Sequence, residues 1–385
     1  MTHIISCYSE EGHTLKKHLL STSAIALGTI ALAAPVAAQE WDVSFGGFMS
    51  QHVAYKDLGG TALNVGGDYD GVDIHSSSEI IFTPSITLDN GLTFGVNVQL
   101  EGENTGGQID ESYMTISSDT LGQIIIGSEN SAGYKSMVGA PGVTSMYINS
   151  PSVSSFIPFS LAYPGGFRQA GLSSYTEVAG NNDVQRLTYF TPSFNGLTMG
   201  VSYAPTGAIN VANSFGGPDK NTRLSDIFDI GVNYSQTFGT TSVTLAARYG
   251  VGDTPVAGAS DPETWGIGAQ VGFADFTVGG SYAENDNGLA AGAGDSEGWS
   301  FGVTYDIAGP WAIEALTYQG EVDTGASNAD YEAYRIGASR DLGPGVDWDI
   351  YVVNVAADNG GTSGIGGTRQ SVSGTIIGTG INLSF

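Results

Sequence analysis

The chain has 385 residues, with 39 acids against 12 bases and a net charge of -27. That balance excludes nucleic acid as a partner, because phosphates demand basic neutralisation. A hydrophobic fraction of 41% with 10% aromatics also excludes a disordered acidic chain, which lacks the apolar groups to build a core.

Lys16 and Lys17 precede an apolar run from Leu19 to Ala34. Pro35 breaks the run, and Val36-Ala37-Ala38 offers small residues before Gln39. This pattern predicts a cleaved secretory signal over residues 1–38 and a single mature domain over 39–385. The run is short, and rich in Ala, Ser, Thr and Gly, for a transmembrane anchor. Residues 1–14 hold Glu10, Glu11 and the sole cysteine, Cys7; they do not suit an export signal, and the true start is expected near Leu15. The mature chain has no cysteine, so it crosses an oxidising compartment without disulfides. Nothing after residue 39 resembles a spanning helix, so a membrane location requires strands.

Alternating apolar and polar residues predict the first strand over Trp41 to Tyr55. Val43, Phe45, Gly47 and Met49 share one face; Phe48 interrupts the polar one. A long loop follows with Asp57, Asp68, Asp70 and Asp73. Hairpins are predicted over Ser78–Glu101, turning at Asp89-Asn90-Gly91, and over Ile109–Glu129. A long interruption separates these from Val184–Ala204, which turns at Asn195-Gly196. Four more hairpins turn near Phe238-Gly239, Ala274-Asp275, Ala308-Gly309-Pro310 and Leu342-Gly343-Pro344-Gly345. The last strand is Ser371 to Phe385. Short turns and longer Gly-, Asp- and Asn-rich loops alternate, as in an up-and-down barrel. The expected fold is all-β: a transmembrane antiparallel barrel of about sixteen strands. Aromatics near strand ends, among them Trp41, Phe82, Phe238, Phe273, Tyr305, Trp311 and Phe385, are expected to form interfacial girdles.

One unit recurs. Phe82-Thr83-Pro84-Ser85 precedes Asn90-Gly91-Leu92-Thr93-Phe94-Gly95-Val96. Phe190-Thr191-Pro192-Ser193 precedes Asn195-Gly196-Leu197-Thr198-Met199-Gly200-Val201. With the signal segment, the opening Val43-Ser44-Phe45-Gly46-Gly47-Phe48 and the terminal Phe385, the chain resembles the Gram-negative general porins of alphaproteobacterial type. The resemblance implies a homotrimer of sixteen-stranded barrels in the outer membrane, held in lipid and lipopolysaccharide. It implies passive diffusion of small hydrophilic solutes and ions, and reading of Phe385 by the barrel-assembly machinery as an assembly signal. It also implies that the third loop, Glu129 to Asp183, folds into the lumen and narrows it. That segment carries Lys135, Arg168 and Glu177. A substrate-specific outer-membrane channel is the nearest rival; a secreted or surface structural β protein is a third reading.

Strand parity names lumen candidates. Outward Leu187 and Tyr189 place Arg186 inside; outward Leu245 and Ala247 do the same for Arg248. Outward Tyr334 and Ile336 place Arg335 inside. Outward Phe94, Val96, Val98 and Leu100 turn Asn97, Gln99 and Glu101 inward, and Ile80 and Phe82 turn Glu79 inward. An Arg or Lys facing lipid costs about 2–4 kcal/mol at the midplane. The three arginines either form a basic wall opposing acids, with a transverse field, or are solvated or paired one by one.

No cofactor is expected. Asp68-Tyr69-Asp70-Gly71-Val72-Asp73 offers oxygen ligands for a structural Ca²⁺ but lacks calcium-loop spacing. Catalysis is not expected either. His52 and His75 are the only mature histidines, and neither sits in a nucleophile or metal-ligand spacing.

Overall fold

A computed structural model describes residues 39–61, 68–102, 109–148, 156–157, 177–207, 219–288, 294–323, 328–360 and 370–385. The expected export signal lies outside them. In chain order the strands are β1 (Phe45–Gly59), β2 (Gly71–Phe82), β3 (Ser85–Thr87), β4 (Thr93–Glu101), β5 (Ile109–Ser118), β6 (Gly122–Glu129), β7 (Val184–Phe190) and β8 (Leu197–Thr206). They continue as β9 (Ser225–Phe238), β10 (Thr241–Asp253), β11 (Glu263–Phe273), β12 (Phe276–Asp286), β13 (Ser296–Asp306), β14 (Trp311–Asp323), β15 (Asn328–Gly343), β16 (Val346–Asp358) and β17 (Ser371–Ser384). A five-residue helix, α1 (Ala132–Ser136), and a short 3-10 turn, Val178–Gly180, stand among the described residues between β6 and β7.

All 17 segments form one sheet. Each pairs antiparallel with its chain neighbour, and β1 pairs with β17 from Phe48↔Ser384 to Gly59↔Ser373. The sheet is therefore closed and exposes no edge. Segments β2 and β3 both pair with β4. They are one stave interrupted at Pro84, which cannot donate to a ladder. The wall thus has sixteen staves. Among the described residues no helix is long and apolar enough to cross a membrane; the strands do the crossing.

Local sequence sets the short-turn rim. Asn195 (φ 50°) and Gly196 (φ 87°) both take the left-handed conformation that a two-residue hairpin turn requires. Several bounds differ from the sequence expectation, and the first strand begins at Phe45 rather than Trp41. The first strand runs on to Gly59 and the second begins at Gly71 rather than Ser78. Alternation of Val72, Asp73, Ile74 and His75 continues the ladder with β1, so Asp57 and Asp73 belong to strands.

Outward positions are apolar and ringed by aromatic pairs. Near the short turns Phe45 meets Phe82 (5.1 Å), Phe276 meets Tyr305 (4.5 Å) and Trp311 meets Trp348 (5.6 Å). Toward the long loops Tyr203 meets Phe228 (4.8 Å) and Trp265 meets Tyr282 (5.3 Å). Trp265 and Phe273 stand eight residues apart, roughly 26 Å along a strand, which is about the height of a membrane apolar band.

The main hydrophobic cluster lies inside the barrel. Inward Ala54, Leu58, Tyr318, Tyr331, Val353, Val355, Val372 and Ile376 from β1 and β14–β17 pack against Met146, Ile148, Phe156 and Ile157 of the third loop. Simple alternation predicts a polar inner face. Here the inner face is apolar because the loop, not water, covers it.

Candidate functional site

The third loop leaves β6 and turns once. Ser131 caps α1 by accepting the Tyr134 N–H (3.1 Å), the usual remedy for an unpaired helix donor. The chain then runs along the inner wall, and successive staves supply partners for its backbone. Asn233 of β9 donates to the Ser136 carbonyl (2.9 Å), and Gln270 of β11 to Gly139 (2.9 Å). Ser300 of β13 accepts the Ala140 N–H (3.0 Å), and Glu314 of β14 accepts that of Val143 (2.5 Å). Asp349 of β16 accepts the Ser145 N–H (2.7 Å) and hydroxyl (2.6 Å). Tyr331 of β15 donates to the Ile148 carbonyl. A loop buried in a lumen must pair its backbone or lose several kcal/mol, so these inward polar residues are what permits its course. Gly133 lets α1 lie flat on the wall: a Cβ there would stand 2.8 Å from the Asp229 carboxyl carbon and 3.0 Å from Arg248 Nε.

All three candidate arginines point inward, and each is only 4% exposed. Arg248 meets Asp229 at 2.5 Å and Glu177 at 3.9 Å. Arg186 lies 3.7 Å from Glu177 and donates to the Asn181 carbonyl (2.6 Å). Arg335 meets Glu314 at 2.6 Å. A bare basic wall facing water is therefore not what they form. Buried under the loop, each guanidinium sits against a carboxylate, because a desolvated charge without a partner costs several kcal/mol. Glu177, at the loop's return, also accepts the Ser131 N–H at its start (2.7 Å), tying both ends together.

Lys135 projects from α1, meets Glu129 at 2.8 Å and stands 5.7 Å over the Tyr113 ring. Arg168 lies outside the described residues. Glu79 and Glu101 face each other across β2 and β4. Phe385 exchanges two backbone hydrogen bonds with Gly47, both 3.1 Å, and its ring faces outward at the seam.

Sequence reasoning passed over Asp229, Glu314 and Asp349. Each lies on an inward position between outward apolar neighbours, so the parity that named the arginines would have named them too. It also passed over a contact group at His52. The imidazole touches Ser145 Oγ through Nε2 (3.3 Å) and Tyr351 Oη through Nδ1 (3.1 Å), and stacks on His75 at 6.1 Å. Ser145, His52 and Asp349 meet, but the carboxylate accepts from the serine rather than from the imidazole. A nucleophile relay needs the opposite order; this arrangement fastens the loop. Two acids expected in the first loop, Asp73 now in β2 and Asp70 just before it, are likewise engaged. Lys56 meets Asp73 (2.6 Å), and Asp70 accepts the Leu58 N–H (2.7 Å). Among the described residues no three acid, His or Cys side chains converge as metal ligands.

A family model described as Gram-negative porin matches residues 21–361. No curated protein matches the chain. Among solved structures, OmpT of Vibrio cholerae, an outer membrane protein in trimer form, is 14% identical with a TM-score of 0.58; the match covers 90% of this chain and 99% of that one. An anion-selective porin from Comamonas acidovorans is 16% identical with a TM-score of 0.57, covering 90% and 100%. The outer membrane channel DcaP of Acinetobacter baumannii is 14% identical with a TM-score of 0.58, covering 90% and 97%. At these identities the structural likeness establishes the fold, and the family match over most of the chain establishes the kinship.

Proposed function

The chain belongs to the Gram-negative porin family, outer-membrane barrels that pass small solutes by diffusion, and from that premise we propose a homotrimeric channel for hydrophilic solutes and ions. The observation that carries this reading is the third loop crossing the inside of a closed sixteen-stave wall. Among the described residues it lines the inner wall and no separate domain fills the barrel, which supports a narrowed but permeable passage. A homotrimer is supported by the trimeric form of the Vibrio cholerae relative. Residues 1–38 serve as the cleaved export signal, leaving 39–385 as the barrel domain, and Phe385 is read by the barrel-assembly machinery. The chain carries no catalytic role and needs no cofactor in this reading; lipid and lipopolysaccharide surround it.

Conductance of single molecules in a planar bilayer tests the proposal. Stable ohmic steps that close in thirds at high voltage are expected. Folded, heat-modifiable protein that never conducts would point instead to a gated or purely structural barrel.

A further inference from the structure

We infer that Arg340, seated against Trp311 and Trp348 on the outer face of the barrel, holds the phosphate of a phospholipid in the periplasmic leaflet. The inference rests on the outer-membrane reading above and concerns a site away from the lumen.

Strand parity places the residue. Ile336, Ala338 and Arg340 share the outward face of β15. Arg340 lies opposite Trp311 of β14 and opposite Trp348 of β16, so the three form one row across three staves. The row adjoins the short turns: Trp311 opens β14, and Arg340 stands three residues before Gly343, where β15 ends. Short turns face the periplasm in barrels of this kind, and tryptophan near them sits at headgroup level. A base costs far less at that height than at the middle of the belt.

The local geometry seats the side chain. The guanidinium carbon of Arg340 lies 5.6 Å from the centre of the Trp311 ring. The Trp311 and Trp348 rings stand 5.6 Å apart, inclined by 56°. Trp348 is fixed in turn, because its Nε1–H donates to Thr379 Oγ1 (2.7 Å). Arginine stacks on aromatic faces and still presents a flat fork that matches a phosphate. Arg340 is half-buried; its Nε is covered and makes no hydrogen bond. The protein thus holds the stem and supplies no acceptor to the head.

Charge names the ligand. Among the described residues Arg340 is the one base near the short turns, where Asp89, Asp119, Asp275, Asp306, Asp341 and Asp347 also lie. The inward arginines each meet a carboxylate; Arg340 forms no ion pair within the described residues. Parity explains why. Asp341 and its ladder partner Asp347 project to the opposite face of the sheet. A partly desolvated cation facing outward at headgroup height has one abundant anionic neighbour, the phosphodiester of a lipid. One row nearer the belt centre, small Ala338 lies between Ile313 and Ile350, which leaves room along β15 for the lipid's acyl chain.

Native mass spectrometry of the folded protein in detergent, titrated with phosphatidylglycerol, tests the site. One lipid per chain is expected to survive conditions that strip the others. Arg340→Gln should weaken its retention about tenfold, the size of one charge-assisted contact. Arg340→Lys keeps the charge but loses the flat fork, and should weaken it about threefold. Trp311→Leu removes the seat and should also weaken it about threefold; it stands as a second variant should Arg340→Gln fail to fold. Lys220→Ala removes a base from an exposed site on the long-loop side and should change nothing. Diacylglycerol with the same acyl chains lacks the phosphate and should not be retained. Equal retention by the unaltered protein, Arg340→Gln and Trp311→Leu overturns the inference. So does displacement of the lipid by millimolar inorganic phosphate, which would mark a free-ion site. An Arg340→Gln protein that loses its trimer while each released chain keeps its lipid would assign the row to a contact between copies, and overturns it too. The assay reads mass rather than current, so protein that never conducts fails the channel reading and leaves this site standing.

Discussion

At the scale of single residues, the pairs under the third loop matter more than their surface counterparts. Arg248 and Asp229 are both buried, at 2.5 Å. Removing one member of a buried pair leaves an uncompensated charge and costs about 3–5 kcal/mol. Arg248→Ala should therefore loosen α1 from the wall, and single-channel recordings should show a larger, noisier current. Lys220 and Asp226 approach within 2.6 Å too, but at the solvent-exposed start of β9, where water screens the attraction. Lys220→Ala should leave both current and thermal melting unaltered. Gly133→Val tests the same contact from the other side, since any side chain there runs into Asp229 and Arg248. A current matching the unaltered channel in both Arg248→Ala and Gly133→Val would reject the loop's hold at this point.

At the scale of elements, parity governs. Ile336 lies on the outward face in the middle of β15, 68% exposed on the isolated chain. Ile336→Arg should destabilise the barrel by about 2–4 kcal/mol in lipid, read as a lower unfolding midpoint in denaturant. Deleting Phe385 removes two backbone hydrogen bonds at the seam and should lower the fraction that runs as a compact, heat-modifiable band. Strand existence, turn positions and the inward direction of Arg186, Arg248, Arg335, Glu79 and Glu101 were all legible in alternation, because one period-2 rule assigns both faces. The early start of β2 was missed because Gly71 and two nearby acids read as loop chemistry. What alternation could not supply was pairing across the lumen. Nothing local to Arg335 points to Glu314, and nothing in the loop's sequence names the staves that receive it. Those contacts depend on barrel closure, a property of the whole ladder. The apolar inner face from β14 to β1 was invisible for a related reason: Val353 and Val355 alternate normally with Val352 and Asn354, so periodicity cannot tell which of two apolar faces meets lipid.

At the scale of the molecule, two kinds of apolar surface stabilise the fold, and they face different media. The outer belt meets lipid. The inner cluster, where Met146, Ile148, Phe156 and Ile157 settle on Tyr331, Val353 and Ile376, is the kind of core a water-soluble protein has. Detaching that part of the loop would wet it, whereas the outer belt stays in lipid throughout. The two should therefore respond differently to temperature. Wetting apolar surface raises heat capacity, and the force that keeps such surface dry fades on cooling. The barrel wall, fixed by its hydrogen-bonded ladder, carries no such dependence at its lipid face. The narrowing of this pore is thus its most cold-sensitive part, held by an attachment that weakens toward the freezing point while the cylinder around it stays intact.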